Sequence, residues 1–130
     1  MILRKAVRAA VILASCVAIG VPAWSHHSMI AYETNEQVTV IEGTVHAVYW
    51  TNPHMVVELM VPTEGGKAEM WTCEGGPVAS AAKAGLTPKV LAVGVKAKVY
   101  GRRHRDHTQT LAIMNSIEID GKVYGRNSSD

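Results

Sequence analysis

Three β-strand patterns separated by two turns lie in residues 37–74, QVTVIEGTVHAVYW-TNP-HMVVELMV-PTEGG-KAEMWTCE. β-Branched and aromatic residues dominate residues 37–50, which is typical of a long strand, and Gly43 predicts a bulge or bend within it. An Asn-Pro turn follows, and residues 54–61 form the second predicted strand. A connection containing Pro and Gly leads to the third, residues 67–74. This stretch therefore predicts a β-meander.

The rest of the chain adds one helix and two or three strands. The alanine-rich residues 78–84, followed by Gly85 as a C-terminal cap, predict one short helix. Residues 95–100 and 110–119 predict two strands, and the Asp-Gly pair within residues 120–124 predicts a tight hairpin. Three strands, a helix and two strands are the element order of an OB-like barrel. We therefore predict a mainly β protein, a small OB-like five- to six-stranded barrel with one short helix, with an open sandwich as the alternative.

The N-terminus has the three parts of an export signal. Residues 1–8 are basic and contain no acid, residues 9–21 are an apolar run, and small residues precede a cleavage site after Ser25. The run has roughly 13 residues, fewer than the ~20 that span a bilayer. We therefore expect residues 1–25 to be a signal peptide and residues 26–130 to be one domain, periplasmic or secreted, with no transmembrane segment in its mature form. Its first residues, up to residue 36, are polar and predict an N-terminal arm.

A second processing route remains open. Leu13-Ala14-Ser15-Cys16 also fits a lipoprotein signal, in which Cys16 would be lipidated and would anchor the protein. Lipoproteins usually turn polar after that cysteine, whereas here the apolar run continues to Val21. Cleavage after Ser25 is therefore favoured.

The net charge of the chain depends on this leader. The full sequence has 13 basic and 11 acidic residues and a formal charge of +2. Removal of the leader, which contains three of the bases and none of the acids, gives a formal charge of −1. A nucleic-acid-binding protein needs a basic face, and only the run Arg102-Arg103-His104-Arg105 remains. Charge and compartment therefore argue against nucleic acid as a partner.

Several short motifs lie at the mature N-terminus and along the first three predicted strands. They are His26-His27-Ser28 with Tyr32, Gly43-Thr44-Val45, Trp50-Thr51-Asn52-Pro53-His54 and Trp71-Thr72-Cys73-Glu74. Together with Gly85 and the hairpin at Asp120-Gly121, they resemble a bacterial family of small exported proteins classed as a domain of unknown function. The resemblance covers nearly the whole mature chain. It implies the fold and the compartment, and it brings no established activity.

The histidines at the mature N-terminus predict a copper site. After cleavage behind Ser25, the free α-amine and the Nδ1 of His26 can chelate one ion, and one more imidazole would complete a planar three-nitrogen set that suits Cu(II). This arrangement resembles the histidine brace of several exported copper proteins. His54 is the natural third ligand, because the Asn-Pro turn before it presents its ring at a strand start, and His46, one strand earlier, is the less favoured alternative. His27 can instead bind Cu(II) through the amine, the intervening amide and its own ring.

Other residues are candidates for supporting roles. Glu74 could add an oxygen ligand or orient an imidazole by accepting its N–H. Trp50 and Trp71 would form the ligand-binding face of a metal-free module. Each candidate also has an ordinary structural interpretation: a solvated arm for the terminal histidines, a hydrogen-bonded turn for His54, and the core for the tryptophans.

Two further features favour structural roles. His104 and His107 have the spacing of metal ligands, but three arginines surround them, which predicts a solvated loop. Cys73 alternates with apolar positions and is the only cysteine after the leader, so we expect a buried, unpaired thiol and a domain without an internal disulfide.

Three functions are consistent with these residues. The first is a periplasmic copper-binding protein with a role in storage, delivery or sensing. The second is a metal-free periplasmic module that binds a small ligand or a partner protein on the barrel. The third is an oxidative copper enzyme. Enzymatic activity is the less expected outcome, because the sequence has no nucleophile elbow, phosphate loop, HExxH or Cys-x-x-Cys motif.

Overall fold

Strands account for most of the regular structure in residues 29–125, the part of the chain that the computed structural model describes. One short helix, α1, lies between the third and fourth strands. The strands are β1 (Thr39–Tyr49), β2 (Val56–Pro62), β3 (Ala68–Glu74), β4 (Lys96–Arg103), β5 (Leu111–Ile119) and β6 (Lys122–Gly125), and α1 is Val78–Lys83. Single 3₁₀ turns occur at Met29–Ala31 and Glu64–Gly66.

The first five strands form a closed barrel. Antiparallel pairings join β1 to β2 and β4, β2 to β3, and β4 to β5. A parallel pairing of β3 with β5 closes the ring, and β6 extends the sheet by pairing with the second half of β5. The ring order β1-β2-β3-β5-β4 is that of an OB barrel. The predicted fold is therefore confirmed, and the open sandwich is excluded.

The barrel interior is filled by the inward-facing residues of all five strands. Alternate residues point to the core because a strand has a side-chain period of two. They include Ile41, Val45, Val57, Leu59, Trp71, Cys73, Ala97, Val99, Ala112 and Ile117. Leu86 and Leu91, from the segment after α1, are also part of this core.

Cys73 belongs to this core and is fully buried. Burial raises the pKa of its thiol to about 12, so the sulfur stays protonated at neutral pH. A protonated, enclosed thiol is a poor metal ligand. The prediction of a buried, apolar cysteine is confirmed.

The predicted bulge at Gly43 is wrong in position. Gly43 pairs regularly with Ala97, and the register of β1 instead shifts between Val45 and Ala47. A Cβ at residue 43 would lie 2.5 Å from the Met60 carbonyl oxygen. Glycine at this position therefore allows two backbones to approach closely.

Two strand boundaries also differ from the prediction. β2 begins at Val56 because the residues before it form the turn after β1, and β4 continues to Arg103 where residues 95–100 were expected. The extension of β4 passes through Gly101, where a second register shift occurs against β5. The end of β4 is also hydrogen-bonded to the N-terminal arm, which pattern analysis of a single strand does not detect.

Within residues 29–125, no helix is both long enough and apolar enough to cross a membrane. The predicted signal peptide, residues 1–25, and the lipoprotein cysteine Cys16 lie outside the described residues.

Substitution of Gly101 by alanine should destabilise the barrel. A Cβ at this position would overlap the Ile113 carbonyl oxygen, which is backbone and cannot rotate away. We expect Gly101→Ala to lower the free energy of unfolding by about 1–3 kcal/mol, the usual cost of overpacking. Urea unfolding measures this change.

Gly76→Ala is the matched control. A Cβ at residue 76 meets no atom within 4 Å, and its φ is not positive. This variant should be as stable as the wild type, or more stable by up to about 1 kcal/mol. Equal stabilities of the two alanine variants would show that the close approach at Gly101 is not real.

Candidate functional site

The turn between β1 and β2 contains His54 and is ordered by its own side chains. Thr51 donates from its hydroxyl to the His54 carbonyl at 2.9 Å. The Thr51 N–H donates to the Tyr49 carbonyl at 3.0 Å, and the Asn52–Pro53 peptide is cis. The two hydrogen bonds of Thr51 order the turn, which presents the His54 ring just before the start of β2.

Backbone hydrogen bonds fasten this turn to the segment that follows β3. The Met55 N–H donates to the Gly76 carbonyl at 3.0 Å, and the Gly75 N–H donates to the Met55 carbonyl at 2.8 Å. In addition, Asn52 Oδ1 accepts the Val78 N–H at 3.1 Å. Val78 is the first residue of α1, whose initial N–H groups have no partner within the helix. One short turn thus holds both the end of β3 and the start of α1.

His54 has a defined tautomer because of a hydrogen bond to the Gly75 carbonyl. The distance from His54 Nδ1 to the Gly75 oxygen is 3.1 Å. A carbonyl oxygen only accepts, so Nδ1 carries the proton, and in the uncharged ring Nε2 keeps its lone pair. The side chain is 47% exposed. Histidine metal ligands have this same arrangement, with one nitrogen donating to a carbonyl and the other free to coordinate.

The Glu74 carboxylate lies beside the same ring. Its Oε1 is 3.6 Å from His54 Nδ1, too far for a good hydrogen bond but close enough for electrostatic attraction to a protonated ring. The side chain is 30% exposed. Because the Nδ1 proton is donated to Gly75, the predicted orienting role belongs mainly to the backbone carbonyl, and Glu74 supplies negative charge.

The N-terminal arm is docked on the end of β4 and on the loop that follows it. The Glu33 N–H donates to the Arg103 carbonyl at 3.0 Å, and the Arg105 N–H donates to the Ala31 carbonyl at 2.8 Å. Arg105 Nε donates to the Tyr32 carbonyl at 2.9 Å. These three bonds bracket Tyr32 and hold it in place.

Tyr32 links the arm to the site electrostatically, because the charge of Glu74 affects the pKa of its phenol. Its side chain is buried, and its ring makes an edge contact with the His104 ring, with centroids 5.4 Å apart. Burial, and secondly the negative charge of Glu74, raise the pKa of Tyr32 above its ordinary value. Glu74 therefore lies within electrostatic reach of both the docked arm and the His54 turn.

The other sequence candidates lie in different environments. Trp71 is in the core, and the Arg103 guanidinium stacks over its ring at 5.3 Å from the centroid. Trp50 is partly buried and packs against the same core. His26 and His27 lie outside the described residues.

The histidines of the β4–β5 loop are used structurally. His104 Nδ1 accepts the Asp106 N–H at 3.1 Å, and His107 Nε2 is 2.8 Å from Glu33 Oε1. Among residues 29–125, no group of three or more His, Cys, Asp or Glu side chains could hold a metal ion. His54 and Glu74 are thus a pair in the described part of the chain.

Sequence reasoning missed the acceptor that determines the His54 tautomer. That acceptor is the Gly75 carbonyl, and every residue has a carbonyl, so the sequence carries no signal for it. The helix-capping role of Asn52 had a signal, because asparagine is among the residues that commonly supply such acceptors at helix starts. The long separation of Asn52 from α1 along the chain concealed it.

Comparison with known proteins identifies a family and a fold. The model of a family described as "Family of unknown function (DUF6152)" matches residues 13–112. This agrees with the expected resemblance to a family of unknown function. No curated protein sequence matches the chain.

Two solved structures resemble the barrel. The dimeric N-terminal domain of PriB protein from Thermoanaerobacter tencongensis has a TM-score of 0.50 and 14% identity, and the match covers 67% of this chain and 99% of that one. A ZRD-deleted mutant of TiaS in complex with agmatine has a TM-score of 0.48 and 15% identity, over 75% of this chain and 28% of that one. The PriB likeness, at this level of identity, shows a shared fold.

Removal of the Asn52 side chain should loosen the start of α1. Asn52→Ala leaves the Val78 N–H without its acceptor, and we expect a loss of about 1 kcal/mol in the free energy of unfolding. Asn52→Asp keeps an oxygen in the same place and adds a charge that a helix N-terminus favours, so its stability should match or exceed that of the wild type. Urea unfolding distinguishes the two, and equal losses for both variants would contradict the capping role.

Proposed function

Because the chain belongs to the family of unknown function DUF6152, which gives it a fold but no activity, we propose from its own residues that it is an exported copper-binding protein. The metal would be held by the α-amine and ring of His26 together with the ring of His54. His27 is the alternative donor from the arm. In this proposal the protein acts in the bacterial periplasm after removal of residues 1–25, in the storage, delivery or sensing of copper.

The observation that carries the proposal is the hydrogen bond from His54 Nδ1 to the Gly75 carbonyl. It holds the ring in one orientation and leaves Nε2 as the coordinating nitrogen. The turn that presents the ring is itself fastened at Met55 and Asn52. A ligand held in this way loses little conformational freedom when it binds a metal, which favours affinity.

The position of the arm supports the second half of the proposal. Tyr32 is anchored close enough to Glu74 for the carboxylate to raise its pKa, and Glu74 lies 3.6 Å from the His54 ring. His26 lies six residues before Tyr32, but Met29–Ala31 form a 3₁₀ turn, so the part that can extend is residues 26–28, which would span up to about 10 Å. The proposal requires this short segment to bring the His26 amine to His54.

The local charge also suits a cation. Glu74 places negative charge beside the His54 ring, where it would attract Cu²⁺ and could supply an oxygen ligand. The α-amine and imidazole have ordinary pKa values of about 8 and 6.5, so a metal displaces few protons from them near neutral pH. Three nitrogen donors with one oxygen nearby form a set typical of Cu(II).

Replacement of His54 tests the proposal directly. In protein that begins at His26, we expect His54→Ala to weaken Cu(II) binding at least about tenfold, or 1.4 kcal/mol, because one of three nitrogen donors is lost. The paramagnetic resonance spectrum of the bound copper should change at the same time. His46→Ala is the matched control, since His46 is exposed on β1 and lies outside the proposed site; its affinity should equal that of the wild type.

The N-terminus needs its own control. One extra residue before His26 moves the α-amine away from the ring and should weaken binding to a similar extent. A peptide of residues 26–32 that binds copper as tightly as the whole protein would contradict the proposal, because two adjacent histidines would then be sufficient. Recovery of the exported protein as a lipidated form beginning at Cys16 would also exclude the His26 amine.

A further inference from the structure

The outer edge of β5 is left without a partner strand over two residues. The parallel pairing with β3 ends at Glu74–Ile113, and the antiparallel pairing with β6 begins only at Ser116–Gly125. Met114 and Asn115 lie between these two pairings. Helix α1 passes over the gap from the end of β3, and none of its residues is buried. Val78 and Ala81 are partly buried and pack against the core, so the helix lies against this part of the barrel.

A cavity of about 480 Å³, half open to solvent, lies at this gap. Its lining includes Ser80 and Ala81 of α1, Asn115 and Ser116 of β5, and Tyr124 of β6. Pockets that hold small organic ligands typically measure about 300–1,000 Å³. The cavity is thus of a size that accommodates such a molecule.

The lining has a distinct chemical character, because it contains no charged side chain. Apolar groups from Met55, Leu86, Met114 and Ile117 supply much of the surface. An ionised ligand would lose part of its hydration against this lining, which is costly, and would meet no charged lining residue; Lys122, whose Nζ lies 5.0 Å from the Tyr124 ring centroid, is not among the lining residues. The lining therefore selects for an uncharged ligand with an apolar body.

Three polar side chains in the lining are available to such a ligand. Within residues 29–125, no hydrogen bond engages the side chains of Ser80, Asn115 or Ser116, although all three line the cavity. Together they offer two hydroxyl groups and one amide, which can both donate and accept. A few convergent polar groups in an apolar pocket are the usual means of orienting a ligand.

Asn115 occupies a special position in the sheet. β4 pairs Tyr100 with Ser116 and Gly101 with Met114, so Asn115 is the extra residue of a β-bulge. Bulges redirect a side chain and occur often next to functional sites. The bulge and the gap between β3 and β6 thus fall at the same point of β5, and both expose Asn115 to the cavity.

We infer that the cavity between α1 and the β5–β6 hairpin binds a small uncharged organic molecule that has an apolar body and at least one hydrogen-bonding group. This site is separate from the proposed copper site and does not depend on it. It also differs from the ligand-binding face around Trp50 and Trp71 that the sequence suggested, since neither tryptophan lines the cavity.

Two related fluorescent probes test the inference. N-Phenyl-1-naphthylamine is uncharged, has a large apolar body and carries one N–H donor, whereas 8-anilino-1-naphthalenesulfonate has the same frame with an added sulfonate. In fluorescence titrations of the full domain, the uncharged probe should bind at least about tenfold more tightly than the sulfonate. Failure of the uncharged probe to bind, or equal binding of the two, would overturn the inference.

Tryptophan substitutions on α1 locate the binding. Ala81→Trp and Ser80→Trp each place an indole in the cavity, and each should weaken the uncharged probe at least about tenfold. Ser80 is exposed, so its substitution leaves the core intact even if Ala81→Trp impairs folding. Ala82→Trp is the matched control on the same helix, because residue 82 is exposed and does not line the cavity. Unchanged binding by Ser80→Trp, or an equal loss in Ala82→Trp, would place the probe elsewhere and overturn the inference.

Discussion

The parallel pairing of β3 with β5 turns an open sheet into a barrel. It consists of three residue pairs: Thr72–Leu111, Cys73–Ala112 and Glu74–Ile113. Without them, β3 and the first half of β5 would be edge strands with unpaired backbone groups. The closure also determines where the chain leaves the barrel. β3 ends at Glu74, inside the closing pairing, and the segment that follows must pass directly to α1. Both proposed sites lie around this exit.

The two sites lie on different parts of this exit segment and share part of its backbone. The Gly75 carbonyl accepts the hydrogen bond from His54 Nδ1, and the Gly76 carbonyl accepts one from the Met55 N–H; the Met55 side chain contributes to the cavity. A Cβ at residue 75 would lie within 3 Å of atoms of both Met55 and Met114. The absence of a side chain at Gly75 therefore lets the histidine turn and the cavity lining pack against one segment.

Local patterns in the sequence predict the elements of this fold well. Alternating β-branched residues predict the strands, the alanine-rich segment ended by Gly85 predicts α1, and the Asp-Gly pair predicts the last hairpin. The element order also indicated an OB-like barrel, which the β3–β5 pairing confirms. Strand ends were less predictable, since the last residues of β4 pair with β5 beyond a register shift that the sequence does not reveal.

The site is less accessible to sequence reasoning, because its contacts join distant segments. His54 and Glu74 were expected to act together and lie side by side. The Gly75 acceptor and the reach of Glu74 to Tyr32 depend on tertiary packing, which no local pattern encodes. The cavity lies at a gap between two strand pairings, and no single residue in the sequence predicts such a gap. The roles of His26 and His27 stay predictions, since both lie outside the described residues.

The central claim is that Glu74 lies beside the His54 ring and within electrostatic reach of Tyr32 in the docked arm. Its most direct test is the pKa of Tyr32, measured by NMR on ring-labelled tyrosine in the wild type and in Glu74→Gln. The account predicts that the Tyr32 pKa is above its ordinary value in the wild type and falls in the variant, since one of its two causes, the Glu74 charge, is removed. Tyr100, whose pKa is raised mainly by its hydrogen bond to Glu118, should titrate identically in both proteins. A Tyr32 pKa that does not change in Glu74→Gln would contradict the account, because Glu74 would then lie outside electrostatic reach of the docked arm.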